Sequence, residues 1–327
     1  MSDGAPAPVH LHFRKAAFRA GEWRGGAAPR TIAGMELYQL RTFLAIAEES
    51  NLTRAAERVH TSAPAVSAQL KALEEELGVR LFERTSRGMV LTPAGERVAA
   101  EARRTLDAAR GLQAAAAELR GAVVGTVRMG ALSDPVGLRL GDAFVKIAER
   151  HPKLAIHLQQ SLSNAAIEDV RRGALDCAYV MTSQPGDGVL EVVRLAPLAV
   201  VVLLPARWAR DGLPADNGDL ARRPWVGSGP QCGLRAQLDL FFREAGAEPS
   251  IAAQADTEGA IRGMVASGLG AGLMREDQAR DAERLGEGVV WPGWRSSAWL
   301  CWVAPVAERQ PPPVRVVRDI VRELWQG

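Results

Sequence analysis

Three helical periodicities are crowded between Leu37 and Gly78, with breaks of only a few residues between them. In the first, Leu37, Leu40, Phe43, Leu44 and Ala47 recur at helical spacing, and the pattern stops near Ser50-Asn51. Thr53 reads as the N-cap of a second helix through Arg58, whose Ala55 and Ala56 let a neighbouring helix cross closely. His60-Thr61 is a tight connection. Ser62 then caps a third helix, with Pro64 tolerated in its first turn. There Val66, Leu70, Leu73 and Leu77 step by four, three and four, which at about 100° per residue makes one narrow core stripe. Pro64, Ala68 and Lys71 lie opposite that stripe, with Ala65 and Ser67 on its flanks. The outward N-terminal half is therefore small and, Lys71 apart, uncharged. A surface of that shape enters a DNA major groove without steric conflict. The Glu74-Glu75-Glu76 run falls at the distal end, and Gly78 ends the helix.

Val79 to Arg84 and Met89 to Leu91 read as two short strands around Thr85-Ser86-Arg87-Gly88, a β-wing with a basic tip. Arg87 has the reach for a minor groove and Arg84 for a phosphate. Periodicity alone also allows a small helical bundle with a solvated hairpin. The stretches LRTFLAIAEESNLTRAAERVHTSAPAVSAQLKALEEELGVRLFER and LTPAG, within Met35 to Gly95, resemble the DNA-binding domain of LysR-type transcriptional regulators. The resemblance implies DNA contacts at Pro64, Ser67 and Arg87. Many family members carry Gln where this chain has Ala63 and Arg where it has Ala68. Neither alanine makes the usual hydrogen bonds, although both can touch thymine methyl groups.

Thr92 and Pro93 read as the N-cap and first residue of a helix running to Arg120. Val98, Ala102, Thr105, Ala109, Leu112, Ala116 and Leu119 alternate steps of four and three, an a/d seam. Such a seam also arises when a helix packs on its own chain; the resemblance implies that it dimerises. From Thr126 onward strand and helix patterns alternate in βαβ units with a parallel sheet. Strands are expected at Thr126–Leu132, Leu154–Gln160, Leu175–Met181 and Leu198–Leu204. Further strands are Trp225-Val226, Ile251–Ala255, Ala271–Met274 and Trp299–Val303. Helices are expected at Pro135–Arg150, Ala165–Arg172, Leu234–Ala245, Glu258–Ser267 and near Val314–Trp325. Ser133, Ser163, Asn164, Ser228 and Thr257 follow strands, where ligands of such sheets sit near helix N-termini. Hydroxyls at helix N-termini suit an anion; each is equally a plain helix cap, Thr257 above all.

The formal net charge is +2, but residues before Met35 carry five basic and two acidic side chains; without them the net is −1. DNA binding therefore rests on local motifs rather than on overall charge. Residues 1–34 show no hydrophobic period and no signal-peptide core. They are expected to be a disordered extension, with Met35 the true initiator. No apolar run is long enough to cross a membrane. Cys177, Cys232 and Cys301 are far apart and lack metal-ligand spacing, fitting buried, reduced thiols in the cytoplasm. His10, His12, His60, His151 and His157 pair with no evident nucleophile or metal cluster. Gly268-Leu-Gly-Ala-Gly272 lacks dinucleotide-loop spacing and reads as a helix end and turn.

The expected architecture is α/β. A winged helix-turn-helix spans 35–92 and a linker helix 93–121. A two-lobed effector domain resembling periplasmic binding proteins spans 122–327, with lobe I about 122–197 and 290–327 and lobe II about 198–289. The implied function is transcription regulation by a homodimer or tetramer. Its partners would be double-stranded DNA, a small-molecule effector, for which the hydroxyls favour an anion, and RNA polymerase. No metal, cofactor or catalytic residue is expected. The alternatives are an α/β binding protein or enzyme without specific DNA binding, and an architectural DNA protein.

Overall fold

The computed structural model describes residues 35–86, 88–119, 122–134 and 136–326. The N-terminal extension and Arg87 at the wing tip lie outside them. The helix-turn-helix comprises α1 (Leu37–Glu49), α2 (Leu52–Arg58) and α3 (Ala63–Leu77). Val66, Leu70 and Leu73 are buried as the stripe requires, like Phe43 and Ile46 of α1; Leu77 is exposed, so the stripe ends a turn early. The Thr42 hydroxyl donates to Gln69 Oε1 at 2.6 Å, fixing the roll of α3 on α1. The cap of α2 is Asn51, not Thr53. Asn51 Oδ1 accepts from the backbone N–H groups of Thr53 and Arg54 at 2.9 and 3.1 Å, so Thr53 already lies inside the helix. Ser62 caps α3 by accepting from Ala65 N, and Gly78 closes it at φ 68°.

The wing pairs β1 (Phe82–Thr85) with β2 (Gly88–Leu91) in antiparallel register. Its first strand is shorter than expected because Glu74 Oε1 takes the N–H groups of Leu81 and Phe82, at 2.6 and 3.3 Å. Part of the acidic run on α3 thus anchors the wing instead of facing solvent. Gly88, at φ 109°, is needed twice: for that backbone conformation, and because a Cβ there would meet Ser50 O.

Thr92 Oγ1 accepts from Gly95 N and opens α4 (Pro93–Glu118). The buried face of α4 is Ala99, Ala102, Leu106 and Ala114, turned toward its own chain. Of the expected seam only Ala102 is buried; Val98, Ala109 and Ala116 are half-buried, and Thr105, Leu112 and Leu119 are exposed. Two apolar stripes therefore run along one helix, and the sequence period resolved only the outer one. At mid-helix Asp107 accepts from Arg128 Nη2 at 3.2 Å, and Arg128 also grips Asp176 through Nε, Nη2 and its backbone N–H.

The remaining chain runs β3 (Gly125–Ala131), α5 (Leu140–Arg150), β4 (Leu154–Gln160), α6 (Ser163–Arg171), β5 (Cys177–Thr182) and β6 (Leu190–Pro205). It continues with α7 (Trp208–Asp211), α8 (Asn217–Ala221), β7 (Trp225–Ser228), α9 (Arg235–Ala245), β8 (Ile251–Ala255) and α10 (Glu258–Ala266). Last come β9 (Ala271–Arg275), α11 (Glu276–Arg284), β10 (Gly288–Pro305) and α12 (Pro312–Gln326). The strand order is β4-β3-β5-β10-β6-β9-β7-β8. β3 pairs in parallel with β4 and β5, and β7 with β8 and β9, as βαβ units require. The sheet is nevertheless mixed, since β10 runs antiparallel to β5 and β6, and β6 antiparallel to β9. The strands expected at Leu198–Leu204 and Trp299–Val303 are halves of crossovers 16 and 18 residues long. Their other halves are only partly buried and carry Pro197 or Pro292-Gly293, which read as strand ends.

Each lobe has its own core. Val127, Met129, Ile147, Tyr179, Val317 and Val321 belong to the first. The second gathers Trp225, Phe241, Phe242 and Trp294, with ring centroids 4.7–5.5 Å apart. The helix expected from Pro135 starts only at Leu140. Asp134 closes a turn first, accepting from Gly137 N at 2.9 Å, and Arg139 is left-handed at φ 53°. Helix α11 escaped the sequence reading because it buries only Ala279 and Ala282.

Candidate DNA interface and effector cleft

On α3, Ser62, Pro64, Ser67, Ala68 and Lys71 are not buried, and neither are Ala63 and Ala65 beside them. The face opposite the buried stripe thus carries short side chains and one cation. Lys71 is loosely held by Glu75 at 3.5 Å. Helix α3 and the wing frame an open groove of about 930 Å³ that includes Ser67, Lys71, Arg80 and Arg84. Arg80, expected inside the first wing strand, is instead an exposed cation on the connection into the wing. The Thr85 hydroxyl donates to Gly88 O at 3.2 Å, bracing the wing turn.

The second site is a cavity of about 170 Å³ between the lobes. It lies at the ends of β3, β4 and β8 and the starts of α6 and α10, where open α/β sheets take ligands. Ser133, Ser163 and Thr257 line it; Asn164 and Ser228 do not. Asn164 Nδ2 donates to Pro230 O at 2.8 Å and ties α6 to the other lobe. Ser228 is buried in its own lobe. Ser163, also buried, accepts from Met181 N at 2.9 Å. Thr257 Oγ1 caps α10 through Ala260 N.

The dominant side chain of the cleft is Arg275, which is only 4% exposed. Its Nε donates to Glu258 Oε2 at 3.0 Å and its backbone N–H to Glu258 Oε1 at 2.8 Å. Its Nη2 donates to Asp134 Oδ2 at 2.6 Å, and Asp277 lies 3.6 Å away. Asp134 stands on the first lobe and Arg275 on the second, so the pair spans the cleft. Burial works against the Asp134 carboxylate, but the Arg275 and Gly137 hydrogen bonds hold its pKa below the usual value. Burial raises Glu258 above the ordinary range, and Arg275 offsets only part of this. A charge closing the apolar strand Ala271–Arg275 was the one sequence signal for this residue. The expected anion meets a contrary field: Asp134, Asp256 and Glu258 line the cavity against a single guanidinium.

Cys232 also lines the cleft, and burial pushes its thiol pKa up, with Glu258 and Asp256 adding to the rise. Burial likewise raises Cys301 to about 11 and Cys177 well above the usual thiol range. Among the described residues no three His, Cys, Asp or Glu side chains converge on a metal position, and no helix is long and apolar enough to cross a membrane.

A winged helix-turn-helix joined by a long helix to two lobes around a cleft defines a ligand-responsive DNA-binding regulator. Residues 37–96 match the bacterial regulatory helix-turn-helix of the lysR family, and residues 120–326 match the LysR substrate binding domain. The chain belongs to the LysR family of transcription regulators. It is 30% identical over 259 residues to the hydrogen peroxide-inducible genes activator of Dickeya chrysanthemi, covering 79% of this chain and 84% of that protein. It is 40% identical over 153 residues to the regulator ClcR of Pseudomonas putida, covering 44% of this chain and 49% of that one. Among solved structures it is similar to a full-length, singly substituted OxyR from Pseudomonas aeruginosa, with TM-score 0.63, 25% identity and coverage of 88% and 98% of the two chains. CbnR, a LysR family regulator, shares the fold, with TM-score 0.59, 22% identity and coverage of 90% and 100%.

Proposed function

We propose that each protomer sets the outward half of α3 in a major groove through Ser62, Ala63, Pro64, Ala65, Ser67, Ala68 and Lys71. The wing lies alongside, with Arg84 and Thr85 at the backbone and Arg87 toward the minor groove. The observation that carries this reading is the contrast across α3: Val66, Leu70 and Leu73 are buried while the opposite face is exposed and almost free of bulk. Ala63 and Ala68 contribute fit and methyl contacts, so shape and phosphate contacts weigh more in site choice than hydrogen bonds to bases. Leu112 on α4 and Leu119 just past its end, 73% and 90% exposed, support pairing of two protomers through that helix. Such a dimer reads two half-sites about one helical turn apart.

An effector in the cleft beside Ser133, Ser163 and Thr257 changes the relation of the lobes, and through α4 the spacing of the DNA-binding units and their contact with RNA polymerase. The protein acts by binding and not by catalysis, and its DNA target places its work in the cytoplasm. Several relatives are named for hydrogen peroxide-inducible genes. Oxidation by peroxide starts from a thiolate, and the surroundings of Cys232 disfavour one, which supports reversible ligand binding instead. The test is selection of genomic fragments by the purified protein at a stated salt concentration. A shared dyad-symmetric site is the expected result; salt-sensitive recovery without a common site would refute the reading.

A further inference from the structure

We propose that the effector of this regulator carries a protonated amine, held in the cleft by the carboxylates of Asp134 and Asp256. The inference rests on the cleft being the effector site, and it reverses the charge that helix N-termini alone suggest.

Charge balance comes first. Three carboxylates and one guanidinium line the cavity. Arg275 is already engaged through Nε and Nη2 by Glu258 and Asp134, with Asp277 nearby, so its charge is largely balanced before any ligand enters. An anion entering here would add a like charge beside carboxylates partly removed from water, which is unfavourable. Asp256 is the opposite case. It follows β8, it is exposed at the cleft, and its carboxylate makes no hydrogen bond or ion pair among the described residues. Its Oδ1 occupies the space that a side chain at Gly229 would fill, so the absence of a Cβ there lets the carboxylate fold in against the backbone.

The rest of the lining narrows the chemistry. No three ligating side chains converge among the described residues, which favours an organic cation over a metal ion. Leu132, Leu162, Leu234 and Met181 supply an apolar wall for an aliphatic skeleton, and Ser133 and Thr257 present hydroxyls for a second polar group. At about 170 Å³ the cavity lies below the roughly 300–1,000 Å³ of drug-sized sites, so it suits an amine of amino-acid size. Asp134 and Asp256 stand on opposite lobes, and an ammonium held between them adds a second tie across the cleft beside the Asp134–Arg275 pair.

The experiment is isothermal titration of the full chain with three probes of similar length at fixed ionic strength: L-lysine, 1,4-diaminobutane and succinate. Saturable binding of at least one amine and none of succinate is expected. Asp256→Asn should weaken the amine at least tenfold; because Asp256 has no partner among the described residues, that loss cannot be charged to a broken internal bond. Asp134→Asn should weaken it as well. Binding of succinate alone, no binding of either amine, or equal amine binding by Asp256→Asn would each overturn the proposal. Selection of a dyad-symmetric DNA site by the unliganded protein tests the regulator reading separately, so the amine can fail while that reading stands.

Discussion

In the proposed reading, the outward face of α3 and the interlobe cleft recognise their targets by opposite means. Helix α3 offers exposed, short side chains whose value lies in letting DNA approach, and one stretch of sequence supplies all of them. The cleft offers charges partly withdrawn from water, most of them in fixed hydrogen bonds, collected from Asp134, Asp256, Glu258 and Arg275 on three separate connections. A groove-reading surface therefore tolerates substitution of its contacts without loss of fold. The cleft does not, because most of its recognition groups are also what hold its walls.

The sharpest way to break that comparison is Arg275→Met. It leaves Glu258 buried beside an uncompensated Asp134, and removing one partner of such a network costs about 3–5 kcal/mol; denaturant unfolding should show this. A loss below about 1 kcal/mol would mean that the cleft is no more rigid than the DNA face. Within the helix-turn-helix, Leu73→Ala should cost about 2–4 kcal/mol as a core truncation, whereas Ser67→Ala across the helix should change stability by less than about 0.5 kcal/mol. Unfolding of the two variants side by side checks that contrast.

The difference between the sites also explains what was legible in the sequence. The helices, the Ser62 and Thr92 caps and the buried stripe of α3 follow from periods and neighbours within a few residues. Errors there were short-range: Asn51 outcompeted Thr53 as a cap because its carbonyl reaches two N–H groups at once. The rule that ligands follow strands singles out Ser133, Ser163 and Thr257, which line the cavity, and also Asn164 and Ser228, which lie outside its lining. Arg275 left only a charge at the end of an apolar strand, since nothing local reveals a partner 141 positions away, as in the Arg275–Asp134 bond; Asp256 left no local signal at all. The double face of α4 was half legible: the outer stripe fits a heptad, and the inner stripe of alanines carries too little hydrophobic contrast to register.

Smaller effects sharpen the comparison further. Asn51→Ala should lower stability by about 1 kcal/mol and Thr53→Ala by much less, read by thermal unfolding. Arg84→Ala should leave stability unchanged and reduce the salt slope of DNA binding by about 1; an unaltered slope would remove Arg84 from the phosphate contacts. The smallest effect concerns acid. The folded-state pKa of Asp134 lies below its ordinary 3.8. Its contribution is therefore full above that value and is lost as pH falls through the lower folded-state pKa. Asp134→Asn should flatten this part of the acid limb in unfolding curves taken at successive pH values.

One further property of the molecule follows from where Arg128 takes hold of α4. Asp107 lies 14 residues beyond Pro93, which at 1.5 Å per residue is about 21 Å of rigid rod. The grip on Asp107 is a fulcrum, and the helix-turn-helix sits at the far end of the arm. A tilt of about 10° there sweeps the start of α4 through about 4 Å, close to the roughly 3.4 Å spacing of successive base pairs. If effector binding tilts α4 about this contact, as the proposed function requires, a side-chain rearrangement in the sensing half becomes a step on the scale of the DNA ladder itself.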